Sequence, residues 1–446
     1  MTPPDGSQPV TGRDDLVAWI EAGSKAPADW RIGTEHEKFV FDRRTLEPVG
    51  FDGPRGIEAF LEGMTRFGWT PVTEAGRTIA LKRDGAAITL EPAGQLELSG
   101  APLERLQQSC AEVNGHLAEV REVASELDVG LLGVGFHPTA RREAMPWMPK
   151  ARYAIMRRYM PTRGDHGLDM MTRSCGVQVN LDFADEADMV RKLRVGLALQ
   201  PLATALFANS PFVEGSPSGW QSYRSRVWMD TDPDRCGMLA FAFGDDMGFE
   251  RYVDYALDVP MYFIHRGERL IDAAGQSFRD FMAGRLPALP GEYPTLADWE
   301  DHLTTLFPEV RIKRFIEMRG ADAGPWERLC ALPAFWTGLL YDRRALDQAY
   351  QLIADWQPGE LAALRADAAR HGLAARFRGE TLTDWARRVL PIARQGLAHR
   401  GWGEAHFLDS LEAIAATGRT PSDEQLEAYH GRWHGDVRAV FREYAY

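Results

Sequence analysis

The sequence predicts an α+β protein in which an antiparallel sheet is wrapped by helices. Segments with strand periodicity and helical periodicity both occur, but they do not alternate in the regular rhythm of βαβ units. From about residue 340 onward, the apolar residues mostly follow helical spacing. We therefore expect a flexible leader at residues 1–11 and a single domain at residues 12–446, with a mostly helical part at residues 340–446 packed on it.

Helical and strand signals follow one another through the first third of the chain. Thr11 is positioned to cap a helix that extends to about Glu21, and helical periodicity returns at residues 53–66 and 102–127. Strand signals are present at residues 33–39, 77–82, 87–98 and 131–136. The third of these is broken by Pro92-Ala93-Gly94, which predicts a tight turn or bulge within it.

The segment at residues 175–183 alternates between apolar and polar side chains. Its apolar face consists of Val177, Val179, Leu181 and Phe183, and its polar face of Gln178, Asn180 and Asp182. This pattern predicts a strand with one packed and one hydrated face. A helix begins near Asp185, runs toward Asn209 and is expected to bend at Pro201. Residues 215–250 are predicted to be irregular, and a loop of that length suggests a functional role.

Composition excludes several functional classes. The 446 residues are 45% hydrophobic, which is enough for a sizeable core, and the net charge of -13 argues against nucleic acid as the main partner. No apolar run reaches membrane-spanning length, and the N-terminus lacks the basic and apolar regions of a signal peptide. Four cysteines without a CxxC pattern indicate neither a disulfide scaffold nor a zinc site. We therefore expect a cytoplasmic protein.

Five glutamates lie where alternating strands would point them into one cleft: Glu35, Glu37, Glu91, Glu97 and Glu317. Side chains two residues apart on a strand share a face, so each segment presents polar groups in one direction. At roughly 7 Å and an effective dielectric of about 20, two carboxylates repel by about 2 kcal/mol. Several such pairs in one cleft require cations, and Mg²⁺, which prefers oxygen ligands, usually accompanies phosphates. The pattern therefore indicates phosphoryl-transfer chemistry.

Each of these features also has an ordinary structural explanation. A Glu-x-Glu pair on a strand is usually a hydrated face, and the Glu317-x-Arg319 pair is often a structural ion pair. The chain has no P-loop and no Rossmann glycine fingerprint, so a nucleotide would have to be bound by metal and arginine. A zinc hydrolase built on Glu35-His36-Glu37 is disfavoured, because zinc enzymes usually cluster histidines and this chain does not gather them there.

Longer blocks of the chain closely resemble the plant and proteobacterial type of glutamate–cysteine ligase. These blocks are residues 35–39, 91–102, 178–183, 207–212, 255–263 and 317–322. The resemblance extends from about residue 12 to the C-terminus. It implies a fold similar to the catalytic part of glutamine synthetase, in which a curved antiparallel sheet holds metals and ATP on its concave face.

The resemblance also implies a reaction. ATP, L-glutamate and L-cysteine would give γ-glutamylcysteine through a γ-glutamyl phosphate, which is the first step of glutathione biosynthesis. Mg²⁺ and arginine would cancel the repulsion between the carboxylate and the triphosphate, so catalysis would be mainly positioning and neutralisation. The expected partners are the small-molecule substrates, with no nucleic acid and no membrane, for a monomer or homodimer.

The resemblance assigns roles to individual residues. It implies that Mg²⁺ is bound by Glu35, Glu37, Glu91, Glu97 and Glu317. Arg319 would face the transferring phosphoryl group beside Glu317, and its planar donors suit a phosphate better than lysine would. Gln178 would be a metal or nucleotide ligand and is the only neutral member of the set.

Three further residues are expected to bind substrates. Arg152 and Arg224 match arginines of the glutamate and ATP sites, although each could instead be a surface charge or part of an ion pair. Tyr262 is a candidate for the pocket that holds the cysteine side chain, and a buried core tyrosine is the alternative.

The cysteines match a feature of the plant members of this family, which use disulfides as redox switches. Cys110 and Cys330 match one plant pair, whereas the second pair corresponds to Ala273 and Ala288 and cannot form here. The alternative for Cys110 is a small apolar residue on the buried stripe of a helix. The chain begins without a plastid transit peptide, which favours a bacterial, cytosolic form.

Two other functions remain open from the sequence. The first is a related carboxylate–amine ligase that joins glutamate to a different amine. The second is a catalytically silent sensor of glutamate or nucleotide, although a pure binder needs fewer paired carboxylates than this chain has.

Overall fold

The computed structural model describes residues 7–446, in which seventeen strands and seventeen α-helices are assigned. The strands are β1 (Ile32–Asp42), β2 (Thr70–Glu74), β3 (Arg77–Arg83), β4 (Ala86–Leu90), β5 (Leu96–Ser99), β6 (Val129–Leu132), β7 (Gly176–Leu181), β8 (Phe212–Val213), β9 (Ser216–Pro217), β10 (Cys236–Gly237), β11 (Phe263–Arg266), β12 (Arg269–Asp272), β13 (Phe307–Pro308), β14 (Val310–Ile312), β15 (Ile316–Asp322), β16 (Arg376–Phe377) and β17 (Glu380–Thr381).

Helices occur along the whole described chain. They are α1 (Arg13–Glu21), α2 (Ile57–Met64), α3 (Leu106–Glu126), α4 (Ala151–Tyr159), α5 (Gly167–Arg173), α6 (Glu186–Leu206), α7 (Tyr223–Trp228), α8 (Phe249–Asp258), α9 (Phe278–Met282), α10 (Leu296–Thr304), α11 (Trp326–Leu340), α12 (Arg343–Leu352), α13 (Pro358–His371), α14 (Leu382–Arg400), α15 (Asp409–Thr417), α16 (Pro421–His430) and α17 (Val440–Glu443).

A nine-stranded sheet organises the molecule. Its strands lie in the order β14-β15-β7-β1-β5-β4-β3-β2, and β6 also pairs with β1. Every pairing within it is antiparallel. The predicted α+β class with an antiparallel sheet and surrounding helices is therefore confirmed.

The central strand β1 separates the two faces of the sheet. Glu35 and Glu37 point to one face and are half-buried, whereas His36 and Lys38 are fully buried on the other. The His36 ring contacts that of His116 in α3, at 5.5 Å between ring centroids. Helix α3 therefore covers the face away from the two glutamates.

Two breaks in the strands follow from local sequence. Residues 86–99 form β4 and β5, which are separated at Pro92-Ala93-Gly94 as predicted, and Gly94 adopts φ +81°. Strand β15 shifts register against β7 between Met318 and Ala321. Gly320 lies at this bulge, and a Cβ there would have to displace the ends of the Gln200 and Glu309 side chains, since it would lie 2.4 Å from each.

Several predicted elements differ in detail. The segment 215–250 is not wholly irregular, since it contains β9, α7, β10 and the start of α8. Helix α6 contains Pro201 and ends at Leu206 rather than at Asn209. Residues 343–443 contain helices α12 to α17. None of the helices in the described part of the chain combines the length and the apolar character that crossing a membrane requires.

The N-terminal segment also differs from expectation. Helix α1 is capped by Gly12, whereas the Thr11 hydroxyl donates to Asp15 at 2.7 Å. Residues 1–6 of the expected leader lie outside the described residues. Pro9 forms a bridge with Thr295, and Val10 is buried.

Candidate active site

A cavity of about 280 Å³ opens on the face of the sheet to which Glu35 and Glu37 point. Strands β1, β4, β5, β7 and β15 contribute to it, together with α4, α5, α7 and residues around β13 and β14. Its polar lining includes Glu35, Glu37, Glu91, Glu97, Gln178, Arg152, Arg224, Arg311, Lys313 and Arg319. The structure thus brings four of the five predicted carboxylates into one cavity.

Strand register explains how distant residues converge. On β1, Glu35 lies opposite Gln178 of β7, and Glu37 lies opposite Glu97 of β5. Directly opposed residues in an antiparallel pair point to the same face. Glu91 joins them from the turn between β4 and β5. We refer to Glu35, Glu37, Glu91 and Glu97 as the acidic cluster.

Glu35 accepts one hydrogen bond and lies close to other carboxylates. Its Oε1 accepts a hydrogen bond of 2.7 Å from Asn180 Nδ2. Burial raises its pKa to about 7, and the charges of Glu317 and Glu97 act in the same direction. The carboxylate is therefore only partly ionised at neutral pH unless a cation approaches.

Glu37 and Glu97 experience the same effect. Glu37 accepts a hydrogen bond from the Gly176 amide at 2.6 Å, and Glu97 accepts one from Thr89 Oγ1 at 2.5 Å. Burial raises the pKa of both carboxyls, and the charge of Glu91 raises both further. The carboxylates of the acidic cluster thus repel one another, and a bound cation would reduce this repulsion.

Glu317 differs from the acidic cluster because cations surround it. It is fully buried and does not line the cavity. Arg311 contacts it with two nitrogens, at 2.8 Å to Oε1 and 3.0 Å to Oε2, and Arg319 also donates to it. Lys313 Nζ lies 3.6 Å from Oε2. Although burial opposes ionisation, Arg311 and Arg319 lower the pKa of Glu317 below its usual range.

Five cationic side chains line the cavity beside the acidic cluster. We refer to Arg152, Arg224, Arg311, Lys313 and Arg319 as the basic cluster. Arg319 Nη1 donates to Gln178 Oε1 at 2.6 Å, and Arg224 Nη2 donates to the Arg319 carbonyl at 3.1 Å. Arg152 Nη2 donates to the Tyr153 hydroxyl at 3.2 Å. The predicted substrate-binding arginines therefore do reach the cavity.

Arg311 and Lys313 are cavity residues that the sequence reasoning missed. They lie on and just after the three-residue strand β14, which pairs with β15 so that Arg311 is opposite Glu317. A sequence signal for these two residues was present. Arg311-x-Lys313 has the same two-residue spacing as Glu317-x-Arg319 and precedes it by a short turn.

The structure places Tyr262 outside the cavity. Its ring packs against Arg235, whose guanidinium carbon lies 3.8 Å from the ring centroid, and its hydroxyl faces the Met160 sulfur at 3.4 Å. The neighbouring Phe263 lines the cavity instead. Tyr262 is therefore found in the core. The apolar lining of the cavity consists of Pro92, Met156, Met170, Met171, Trp228, Phe263 and Phe307.

The donor set fits a hard cation held jointly with a ligand. Within residues 7–446, no three carboxylate, thiol or imidazole groups are close enough to enclose a metal ion by themselves. Mg²⁺ does not require this, since it is commonly bound by one or two carboxylates together with water and substrate phosphates. The cavity supplies carboxylate oxygens and no imidazole or thiol, which suits Mg²⁺ better than zinc.

Comparison with known proteins identifies the family. The family model described as glutamate–cysteine ligase family 2 matches residues 31–443. The chain belongs to this family. It is 56% identical over 441 residues to a protein of Brassica juncea named glutamate–cysteine ligase, chloroplastic, and the match covers 99% of this chain and 85% of that protein. The Arabidopsis thaliana protein of the same name is also 56% identical, with 84% of it covered.

A solved structure supports the fold. The crystal structure of a Francisella tularensis glutamate–cysteine ligase, determined in complex with AMP, matches with a TM-score of 0.56 at 13% identity. The match covers 94% of this chain and 89% of that one. At this level of identity, the likeness shows that the two proteins share a fold.

The relatives in glutamate–cysteine ligase family 2 correct one prediction. The cytoplasmic localisation expected from the sequence is wrong by this comparison, because relatives that are 54–56% identical to the chain over 441 residues are named chloroplastic. The prediction depended on targeting signals at the N-terminus. Such signals are removable segments, and the residues of the folded domain carry no record of them.

The family resemblance also implied a disulfide, and the structure contains it. Cys110 of α3 and Cys330 of α11 form a disulfide with a Cα–Cα distance of 5.7 Å. Helix α11 packs on α3, β7 and β1. Since α3 covers the face away from the cavity, the bridge joins two helices behind the sheet that carries the acidic cluster.

Proposed function

We propose that the chain is a glutamate–cysteine ligase that uses ATP and Mg²⁺ to form γ-glutamylcysteine, the first step of glutathione biosynthesis. The observation that carries this proposal is the cavity in which the acidic and basic clusters meet. Identity above one half, over nearly the whole chain, to relatives that bear this name supports it.

The metal would be held by the acidic cluster, with Glu317 nearby. When bound, Mg²⁺ supplies positive charge that neutralises the phosphate oxygens of ATP. The raised pKa values of Glu35, Glu37 and Glu97 support this assignment, because among residues 7–446 these carboxylates have no cationic partner comparable to the one that Arg311 provides for Glu317.

The basic cluster would bind the anionic substrates. Arg319 presents a guanidinium to the cavity, and such a planar group can form two hydrogen bonds with a phosphoryl group. Arg224 lines the same cavity, and its Nη2 donates to the Arg319 carbonyl at 3.1 Å, so the Arg224 guanidinium lies beside Arg319. We assign Arg152 and Arg224 to the carboxylates of glutamate and the phosphates of ATP, and Arg319 and Gln178 to the transferring end of ATP.

The chemistry proceeds in two displacements. A γ-carboxylate oxygen of glutamate attacks the γ-phosphorus of ATP, and the bond to ADP breaks, so that a γ-glutamyl phosphate forms. The amine nitrogen of cysteine then attacks the carbonyl carbon of this γ-carboxyl group, phosphate leaves, and the nitrogen gives up a proton. No protein nucleophile takes part. The residues act by orienting the substrates and offsetting charge, which in a water-poor site is an effective source of catalysis.

The amine substrate would lie against the apolar part of the lining. Met156, Met170, Met171 and Phe263 provide polarizable and aromatic surface suited to a small thiol-bearing side chain. Such a surface discriminates weakly, since one methylene in an apolar pocket is worth only about 1–3 kcal/mol. A ligase acting on another amine is therefore the main competing function.

A phosphate-release assay tests the proposal. Purified protein is supplied with glutamate, ATP and Mg²⁺ and with a panel of amines: cysteine, α-aminobutyrate, serine, alanine, glycine and a dipeptide. We expect cysteine and its isostere α-aminobutyrate to react fastest and omission of Mg²⁺ to abolish turnover. A clear preference for another amine would identify a related ligase. ATP binding by calorimetry without turnover of any amine would favour the sensor.

A further inference from the structure

The buried carboxylate of Asp322 lies outside the cavity and accepts three hydrogen bonds. Asp322 ends β15, the strand that carries Arg319. Its Oδ2 accepts from the Asn209 amide at 2.9 Å and from Ser210 Oγ at 2.6 Å. Its Oδ1 accepts from Ser222 Oγ at 2.7 Å. One side chain therefore joins β15 to the segment after α6 and to the residue before α7.

The hydroxyls of Ser210 and Ser222 connect Asp322 to the backbone of α7. Ser210 Oγ accepts from the Arg224 amide at 3.2 Å, and Ser222 Oγ accepts from the Ser225 amide at 3.1 Å as the N-cap of the helix. A hydroxyl has a single proton and two lone pairs. Each serine hydroxyl donates its proton to the Asp322 carboxylate, so its lone pairs remain free to accept a hydrogen bond from a backbone amide of α7. The carboxylate therefore determines the direction of both chains of hydrogen bonds.

The first turn of α7 determines where the Arg224 side chain lies. Arg224 is buried, lines the cavity and donates to the Arg319 carbonyl at 3.1 Å. The space around it is narrow, since a Cβ on Gly176 would lie 2.6 Å from Arg224 Nη2. A small rotation of the turn would therefore displace the guanidinium from this position.

We propose that Asp322 is a positioning residue for Arg224. By holding Ser210 and Ser222, it fixes the start of α7 against β15 and keeps the Arg224 guanidinium beside Arg319. This inference rests on the proposed function, in which Arg224 binds an anionic substrate. Asparagine at position 322 cannot replace the aspartate fully. Its amide nitrogen is a hydrogen-bond donor, and it would face a group that now donates to the carboxylate.

A double-mutant cycle tests whether Asp322 acts through Arg224. We would measure kcat and KM for glutamate and ATP in the wild type, Asp322→Asn, Arg224→Lys and the double variant. We expect Asp322→Asn to raise KM for one anionic substrate by about 10-fold, with a smaller change in kcat. The double variant should be within about twofold of Arg224→Lys alone, because coupled residues are not additive. The proposal would be overturned if the fold-changes in KM of the two single variants multiplied in the double variant, or if Asp322→Asn kept wild-type KM values.

A matched control separates positioning from stability. Glu404 is also a buried carboxylate; it accepts from the Leu106 amide at 2.7 Å and pairs with Arg400 outside the cavity. Glu404→Gln should lower thermal stability and leave both KM values unchanged, whereas a stability effect alone cannot explain a KM change in Asp322→Asn. If Asp322→Asn does not fold, Ser222→Ala takes its place in the cycle.

The inference and the proposed function can fail separately. If the wild type turns over glutamate and cysteine but the cycle shows no coupling, the positioning role is wrong and the function stands. If the wild type does not turn over these substrates, the proposed function fails, and the cycle is then measured on ATP affinity by calorimetry. Absence of coupling in that measurement would overturn the positioning role as well.

Discussion

Arg311 and Glu317 form a buried, bidentate ion pair across the β14–β15 hairpin, with nitrogen–oxygen distances of 2.7–3.0 Å. Arg319 and Lys313 contact the same carboxylate. Glu317 is therefore compensated by the protein itself, unlike the acidic cluster, whose carboxylates repel one another. The two kinds of glutamate should respond differently to loss of charge.

Glu317→Gln should destabilise the metal-free protein, whereas Glu37→Gln should not. Glu317→Gln leaves Arg311 and Arg319 buried without their anion, which we expect to lower the free energy of unfolding by about 3–5 kcal/mol. Glu37→Gln removes a carboxylate whose pKa is raised by burial and by Glu91, so stability should be unchanged or higher. Urea unfolding at slightly alkaline pH without Mg²⁺ provides the comparison, and equal losses in both variants would contradict it.

The same Glu37→Gln variant should need more Mg²⁺ for activity. The amide keeps the size of the side chain but removes one charged oxygen ligand, so we expect the Mg²⁺ concentration for half-maximal turnover to rise about 10-fold or more. Titration of activity with Mg²⁺ at fixed ATP measures this shift. Glu47→Gln is the matched control, because Glu47 is exposed in the turn that follows β1. Wild-type Mg²⁺ dependence in Glu37→Gln would remove Glu37 from the proposed metal site.

The pKa of Glu35 makes stabilisation by Mg²⁺ depend on pH. In the folded, metal-free protein this carboxyl titrates at about 7, compared with its ordinary value of 4.5, because it is buried beside other carboxylates. The folded state therefore holds a proton that the unfolded chain has released, and this contribution to stability is lost as pH rises through the folded pKa. Mg²⁺ replaces the proton, so it should raise the melting temperature more at about pH 8 than at about pH 6.

Glu35→Gln provides the control for the pH experiment. The glutamine does not titrate, so the pH dependence of the Mg²⁺-induced shift should be smaller than in the wild type. An equal shift at both pH values in the wild type would show that Glu35 does not exchange its proton for the metal.

The sequence was sufficient to predict the two pairs Glu35–Glu37 and Glu91–Glu97 because their signals are local, whereas the β1–β5 pairing that brings Glu37 opposite Glu97 is not local. Glu35 and Glu37 lie two residues apart, and the turn at Pro92-Ala93-Gly94 brings Glu91 and Glu97 to the same region. These features depend on strand alternation and turn chemistry, both of which can be read within about ten residues.

Other parts of the site depend on contacts that no local pattern contains. Strand β14 has three residues, too few to show periodicity, and the position of Arg311 follows from its pairing with β15. Tyr262 and Phe263 are neighbours, and a shift of one residue exchanges the two faces of an extended segment. The hydrogen bond between Ser222 and Asp322 joins residues that lie 100 positions apart.

The Cys110–Cys330 disulfide should stabilise the fold behind the cavity. It joins α3 to α11 across 220 residues of sequence, and α11 packs on β7 and β1. A bridge that closes so long a loop restricts the unfolded chain, so its reduction should lower the free energy of unfolding by about 2–4 kcal/mol. Thermal unfolding with and without dithiothreitol measures the effect. A Cys110→Ser/Cys330→Ser variant should melt like the reduced protein and should not respond to dithiothreitol, whereas Cys175→Ser leaves the bridge in place and should still respond to dithiothreitol. If the wild type melts at the same temperature in both conditions while its thiol count changes, the bridge contributes nothing to stability.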